Sequence, residues 1–245
     1  MSTLAVFAPR RFLRLLAGDA LNVSRDPMLL FAIAMSLAPA AALYFGKPAI
    51  DAAALSAFGV ASLSAYLVPV ALLIPASLVG WVSGFLLLED RDEGTLLAID
   101  VTPVGKSGFL AYRVGITALV SLAITAYAWP LIAPHVATGT MVLLSLLIAA
   151  DAVASAVVLP AIARNKVEGL ALTKLTNIVS IAPLIAFLPT PFRYFAGVVP
   201  TYWIGELLLP VSSPALPFAV TATLAIVLHI ATVAGLFTLL RRRAG

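Results

Sequence analysis

Charged residues and cysteine are what this sequence has least of. Only 11% of its 245 residues are charged, and none is cysteine. The lack of cysteine excludes disulfide bonds, thiolate metal sites and thiol catalysis, and the two histidines, His135 and His229, are too far apart in sequence to indicate a zinc site. Soluble domains carry about 25% charged residues, and disordered chains are polar and charged. The composition therefore excludes both a water-soluble enzyme and a disordered protein.

Nucleotide-binding and catalytic motifs are also missing. The sequence has no phosphate-binding loop of the form G-x-x-x-x-G-K-[ST] and no G-x-G-x-x-G turn after a strand. Neither histidine belongs to an evident set of serine, histidine and acid. We therefore predict that the chain is not an enzyme and does not hydrolyse a nucleotide by itself.

Hydrophobic residues, in contrast, make up 62% of the chain, and the mean hydropathy is +1.09. Apolar runs of about 18 or more residues are typical of membrane-spanning helices. We predict an all-α polytopic membrane protein in which residues 27–245 form a single domain of six transmembrane helices. The spans are expected at about 28–45, 52–88, 114–132, 140–162, 172–189 and 216–240.

The positions of lysine and arginine predict the topology, because these residues favour the cytoplasmic side of a membrane. If 52–88 crosses the membrane once, thirteen of the fifteen basic residues fall on one side, and only Lys47 and Arg193 fall on the other. A hairpin at 52–88 would destroy this division. We predict that both termini are cytoplasmic.

Two segments are not expected to span. Residues 1–26 show apolar side chains on one helical face and arginines on the other, which predicts an amphipathic helix in the membrane surface; a frayed basic tail is the alternative. Residues 190–215 hold four prolines between short apolar pieces. They predict a re-entrant or outer-face helical element before the last span, since irregular backbone at membrane depth must be shielded by protein.

The charged segment 89–113 carries acidic residues at its start, where a helix dipole favours them. A short amphipathic stretch, Thr95 to Val101, follows and stops at Thr102 and Pro103. This pattern predicts a compact cytoplasmic helix at about 92–103, although a solvated connector would have the same composition.

The sequence Glu-x-x-x-Glu-Gly-Thr-Leu followed by Thr-Pro-Val, at the end of the second span, resembles the coupling-helix segment of ABC type-2 permeases. Arg25-Asp26-Pro27, the loop 165–169 and Pro200-Thr201-Tyr202-Trp203 resemble the same family in the same order. Small drug-exporter permeases, including those described as fluoroquinolone exporters, look most similar.

This resemblance implies partners and a coupling site. In such transporters two permease units, identical or homologous, pair above two copies of a separate ABC ATPase subunit. ATP and Mg are used by that ATPase, so no cofactor is expected on this chain. The residues that the resemblance implies for contact with the ATPase are Glu93, Gly94, Thr95, Leu96 and Leu97, with Thr102 and Pro103 ending the element.

Three polar residues are candidates for a substrate path. Asp151 lies near the middle of the fourth span, where an ionised side chain costs about 2.5–3.5 kcal/mol and usually faces protein or water. A structural contact, a substrate contact and a proton site all remain open for it. His229 lies at a similar depth in the sixth span, where a structural role is the alternative. Glu206, in the outer element, either lines the exit or is simply exposed.

We therefore expect the permease subunit of an ATP-driven exporter that moves drugs or other lipophilic small molecules through a prokaryotic inner (plasma) membrane. The lipid bilayer is the remaining expected partner, and we expect no binding to nucleic acid. A stand-alone secondary carrier or channel that uses Asp151 and His229 is the alternative. An assembly or sensor protein without transport activity is a third possibility.

Overall fold

The computed structural model of the protein describes residues 9–102, 104–208 and 216–244. These residues form ten α-helices and two short 3-10 helices, and no strand occurs among them. The α-helices are α1 (Pro9–Arg25), α2 (Pro27–Met35), α3 (Ala38–Phe58), α4 (Leu63–Asp92), α5 (Thr95–Asp100), α6 (Gly105–Ile132), α7 (Thr138–Ile162), α8 (Lys166–Ile181), α9 (Pro200–Leu208) and α10 (Phe218–Ala244). The 3-10 helices cover Ala182–Phe187 and Phe192–Val198.

Six helical segments are long and apolar enough to cross a membrane, which confirms the predicted all-α, six-span fold. They are Pro27–Phe58, Leu63–Asp92, Gly105–Ile132, Thr138–Ile162, Lys166–Ala186 and Phe218–Arg243. The predicted single crossing at 52–88 is shifted in the structure: residues 52–58 belong to α3, and the crossing is α4, which continues through Pro69 and Pro75 as one helix of 30 residues.

The first span is longer than the sequence predicted. Residues 46–48, which we expected in a loop, lie within α3, with Pro48 inside the helix. The chain bends instead at Ser36 and Leu37, between α2 and α3. Proline in a membrane helix is tolerated where neighbouring groups satisfy the freed backbone, so Gly-Lys-Pro did not mark the end of the span.

Helix α4 is the centre of the bundle. Of its most apolar 18 residues, 83% are buried, compared with 11% for α10. It packs most extensively on α7, where Gly80 and Gly84 allow the two backbones to approach. A Cβ atom on Gly80 would lie 2.4 Å from the carbonyl oxygen of Ala152, and one on Gly84 would lie 2.8 Å from that of Ala156. Small residues four apart are a common way to bring membrane helices together.

The segments that were not predicted to span lie at the two ends of the bundle. The predicted N-terminal element at 1–26 corresponds to α1 over its described part, and α2 begins directly after it with Asp26 as its N-cap. The predicted outer element corresponds to a 3-10 helix and α9, in which Tyr202 and Ile204 are fully buried. Residues 209–215 lie outside the described residues.

Candidate functional site

A cavity of about 280 Å³ lies between α4, α7, α8 and α10 and is open to the surface, since Val198 on its rim is 80% exposed. Its walls are mainly apolar, and the residues between the second 3-10 helix and α9, Val198 to Pro200, also line it. Two ionisable residues from different spans line it, Asp151 of α7 and His229 of α10, together with the hydroxyl residues Ser77, Ser155, Thr176 and Thr232. Apolar pockets with a few convergent polar groups are the usual form of a small-molecule site.

The packing of α4 on α7 positions one side of this cavity. Because Gly80 and Gly84 bring the two helices close together, Ser77, about one turn before Gly80, lies at the same cavity as Asp151. The hydroxyl oxygens of Ser77 and Ser180 are 2.6 Å apart and hydrogen-bonded, which links α4 to α8. The site is therefore assembled from helices that are far apart in sequence.

Asp151 is a buried acid with an unused acceptor. Its exposed fraction is 7%, and its Oδ2 atom has no hydrogen-bond partner among the described residues. A buried polar atom without a partner costs free energy, and such atoms in native proteins are often explained by a ligand or a water molecule. A ligand with an N–H or O–H group would satisfy this oxygen.

His229 presents a second unused atom to the cavity. Its Nδ1 atom is 2.7 Å from the carbonyl oxygen of Ala225, one turn earlier in α10. Since a carbonyl oxygen only accepts, Nδ1 carries the proton, and Nε2 of the neutral ring is an acceptor. Nε2 is buried and has no partner within the described structure. Both ionisable side chains at the cavity therefore offer acceptors.

Glu206 lies in α9, outside the lining of this cavity. Its carboxylate accepts a hydrogen bond of 2.5 Å from the Tyr202 hydroxyl and forms an ion pair of 3.2 Å with Arg193. The side chains of this pair are 8% and 7% exposed, and Glu206 is not among the residues that line the cavity. The structure thus brings Asp151 and His229 together and leaves Glu206 in a buried cluster of the outer element.

The predicted cytoplasmic helix forms as α5, which is shorter than expected because α4 continues to Asp92. Gly94 makes the turn between them with a φ of +73°, a conformation that glycine adopts without strain. Thr102 ends the element, since its backbone N–H and its hydroxyl both donate to the carbonyl of Ile99. Pro103 lies outside the described residues.

The two leucines of α5 lie on different faces of the helix. Leu96 packs with Ile99 against a cluster formed by Leu87, Phe109 and Tyr112. Leu97 is 69% exposed. Val101, which directly follows α5, is 88% exposed, and Glu93 is exposed as well. The apolar surface available to a partner therefore includes Leu97 and Val101, whereas Leu96 anchors α5 to the spans.

Sequence reasoning did not find a buried charge cluster next to α5. The guanidinium of Arg113, in α6, is 2.7 Å from Asp19 of α1 and 2.8 Å from Asp90 of α4, with only 3% of its side chain exposed. The Tyr112 hydroxyl also donates to Asp19. Burial raises the pKa of the Asp19 carboxyl, against the opposing charge of Arg113. A lone arginine at the start of an apolar run was the available signal.

Comparison with known proteins gives the family. The family described as "Fluoroquinolones export permease protein Rv2686c-like" matches residues 19–237, which includes the cavity, α5 and the Arg113 cluster. The chain belongs to this family. Two relatives are 29% identical over 132 residues, each covering 52% of this chain. They are the fluoroquinolones export permease proteins MT2760 and Rv2686c, from Mycobacterium tuberculosis strains CDC 1551 / Oshkosh and ATCC 25618 / H37Rv.

The matched region also covers 52% of each of these two relatives, so the chain spans about half the length of the curated relatives it matches. No solved structure matches the chain. The family match covers residues 19–237 and assigns no role to any single residue. The roles of individual residues are therefore argued from the geometry described above.

Proposed function

We propose that this member of the Rv2686c-like family is the permease subunit of an ATP-driven exporter of lipophilic, drug-like molecules. In this proposal the chain pairs with a second permease unit in a prokaryotic inner membrane, with both termini in the cytoplasm. Two copies of a separate ATPase chain bind its cytoplasmic side. The names of the two relatives support drugs as the substrate class.

The observation that carries the ATP-driven part of the proposal is the geometry of α5. This helix lies between two spans, is anchored through Leu96, and exposes Leu97 and Val101. Exposed apolar patches rimmed by polar residues mark sites of contact with another protein or with a membrane, and we assign this one to a protein. Since α5 follows directly on α4, the most buried span, a movement of the ATPase that displaces α5 would also displace α4 at the centre of the bundle.

The cavity at Asp151 and His229 supports the transport part. A volume of about 280 Å³ is close to the lower limit of about 300 Å³ for sites that hold drug-sized ligands. Its apolar walls suit a lipophilic molecule, and the two unused acceptors suit one that carries a hydrogen-bond donor. We place part of the substrate path there.

A stand-alone secondary carrier is the second candidate, and one observation favours it. Asp151 and His229 line the same cavity, as a carboxyl and an imidazole that exchange protons with a substrate would. Carriers of this kind draw energy from an ion gradient, so the two proposals differ in what drives transport.

The test measures the accumulation of a fluorescent fluoroquinolone in cells that express this chain with a candidate ATPase subunit. The control replaces the lysine of the phosphate-binding loop in the ATPase with alanine. We expect lower accumulation only with the intact ATPase, and we expect the two chains to purify together.

Equal transport with and without a working ATPase, abolished by a proton uncoupler, would replace the exporter proposal with the carrier. Co-purification of the ATPase without any effect on a panel of lipophilic drugs would retain the coupling site and overturn the substrate class.

A further inference from the structure

A second cavity, of about 170 Å³, lies at the end of the bundle where α5 is found. It opens between the ends of α4, α6, α7 and α10. Its apolar walls include Leu87, Leu110 and Leu240, and three basic residues line it, Arg91, Lys106 and Arg243. No acidic side chain is among its lining residues in the described part of the chain.

Two of the basic groups lie side by side. The Arg91 guanidinium donates to the carbonyl oxygens of Pro160, Ala163 and Arg164, and the Arg243 guanidinium donates to those of Ala161 and Ala163. Both therefore bind the same oxygen of Ala163, at the end of α7. Cations near a helix C-terminus are favourable, which explains why two like charges are held together here.

The local acids neutralise this positive charge only in part. Asp92 is 3.5 Å from Arg91, and Asp100 is 3.1 Å from Lys106. The hydrogen bond from Lys106 holds the pKa of Asp100 below its usual value. The contacts of Arg243 are to neutral carbonyl oxygens. An adjoining recess of about 400 Å³ shares Arg243 and adds Arg242, so the cationic surface continues along the end of α10.

The position of the cavity points to a lipid rather than a soluble anion. Arg91 is next to the last residue of α4, Lys106 is the second residue of α6, and Arg243 is next to the last residue of α10. Basic residues at the ends of spans lie at the level of the lipid headgroups, and basic pockets between spans are a known form of headgroup site. The apolar walls provide contacts for the first part of an acyl chain.

We propose that this cavity binds the headgroup of an anionic phospholipid, with the phosphate held by Arg243 and Lys106 and the chain lying against Leu110 and Leu240. Such a lipid would touch Leu96, which also lines the cavity, and would join α5 to the ends of α4, α6 and α10. The inference does not depend on what the protein transports.

The test uses the full-length chain, purified in a neutral detergent and titrated with fluorescent phosphatidylglycerol or phosphatidylcholine. We expect the anionic lipid to bind about 25-fold more tightly. Since each basic residue near a membrane surface contributes about fivefold, R243Q and K106Q should each reduce this preference by about that factor. The double variant should abolish it.

The matched control is R241Q, which makes the same charge change on the same helix but does not line the cavity. It should leave the preference within about twofold of wild type. An equal loss in R241Q would show general attraction to a basic surface and would overturn the proposal. Soluble glycerol phosphate should compete poorly; if it competed as well as the lipid, the site would be one for a soluble phosphate.

Because R243Q also removes hydrogen bonds to the end of α7, two further variants separate recognition from folding. Lys106 is paired with the exposed Asp100 and donates no hydrogen bond to α7 in the described structure, so K106Q removes the charge without breaking a contact to α7, and R243K keeps the charge at the second position. K106Q should lose preference and R243K should retain it, with normal elution of both. Full binding by K106Q, or loss in R243K as complete as in R243Q, would overturn the proposal.

Discussion

Asp151 is the residue whose possible roles the structure separates most clearly. Its carboxyl is hydrogen-bonded to Ser77 of α4, and its Oδ2 atom is buried next to the cavity without a partner among the described residues. A buried polar atom without a partner needs an explanation beyond that contact between spans. Asp151 and His229 therefore stand as the first pair to test in transport.

We expect Asp151→Asn to reduce drug export about tenfold or more, because leaving one partner of a buried hydrogen bond to the substrate unsatisfied costs about 1–3 kcal/mol. The amount of protein in the membrane should stay near normal, since asparagine has the same shape. Export is measured by drug accumulation and normalised to the protein level. Asp51→Asn, which alters an acid of α3 away from the cavity, is the control.

If Asp151→Asn exports normally while its expression is unchanged, the carboxyl has no part in the substrate path. Loss of expression equal to the loss of export would instead indicate a structural role.

Arg113 connects α1 to the spans through two carboxylates, and its replacement tests how much that connection contributes. Arg113→Met leaves Asp19 and Asp90 buried without their cation, and breaking a buried ion pair in this way costs about 3–5 kcal/mol. We expect a lower melting temperature in detergent. Adding Asp19→Asn and Asp90→Asn to the same variant should recover part of the loss, because no unpaired charge remains. No recovery would mean that the guanidinium acts through packing alone.

At the scale of elements, α5 has two sides with different roles. Leu97→Asp together with Val101→Asp changes only exposed side chains, so the protein should reach the membrane in normal amount. Two charges placed in an apolar contact would cost several kcal/mol each if buried without partners. We therefore expect loss of ATPase co-purification and of ATP-driven export.

Leu96→Asp is the matched variant on the face of α5 that packs against the spans. Leu96 packs against Leu87, Phe109 and Tyr112, so this change should lower the stability of the permease itself. Normal ATPase binding by the Leu97 and Val101 variant would contradict the assignment of α5 as the coupling helix.

The contact between α4 and α7 makes a second prediction at this scale. Gly80→Ala places a methyl group 2.4 Å from a backbone oxygen, and overpacking of this kind costs about 1–3 kcal/mol. We expect a lower melting temperature and weaker export, since the same contact positions Ser77 and Asp151. Gly115→Ala in α6 meets no atom within 4 Å and should be neutral or stabilising. Equal effects of the two changes would argue against a close approach of the helices.

At the scale of the whole molecule, the placement of lysine and arginine predicts the topology across the membrane, and the absence of cysteine makes this topology measurable. Ser62→Cys lies in the exposed connection between α3 and α4, and Ser107→Cys lies near the start of α6. We expect an impermeant maleimide to label Ser62→Cys in intact cells and Ser107→Cys only after the cells are permeabilised. The reverse result would invert the topology, and labelling of both from outside would show that α4 does not cross.

The sequence alone determined the class of protein, the number of spans and the existence of α5. These features depend on local quantities, namely the length of apolar runs, the placement of lysine and arginine, and turn residues such as Gly94 and Thr102. Where the sequence prediction was wrong, as at residues 46–48, the cause was a proline that the helix accommodates. The ends of helices depend on neighbouring segments as well as on the residues themselves.

Only the tertiary structure decided which polar residues share a site. Asp151 and His229 are 78 positions apart in sequence and meet at one cavity, whereas Glu206 is held in an ion pair with Arg193. The tertiary structure also decided which faces of α5 carry Leu96 and Leu97. It buried Arg113 between two acids and placed Arg91 beside Arg243 at the end of α7. The physical reason is that hydropathy follows from each residue and its neighbours along the chain. Which side chains meet depends instead on how closely distant helices pack.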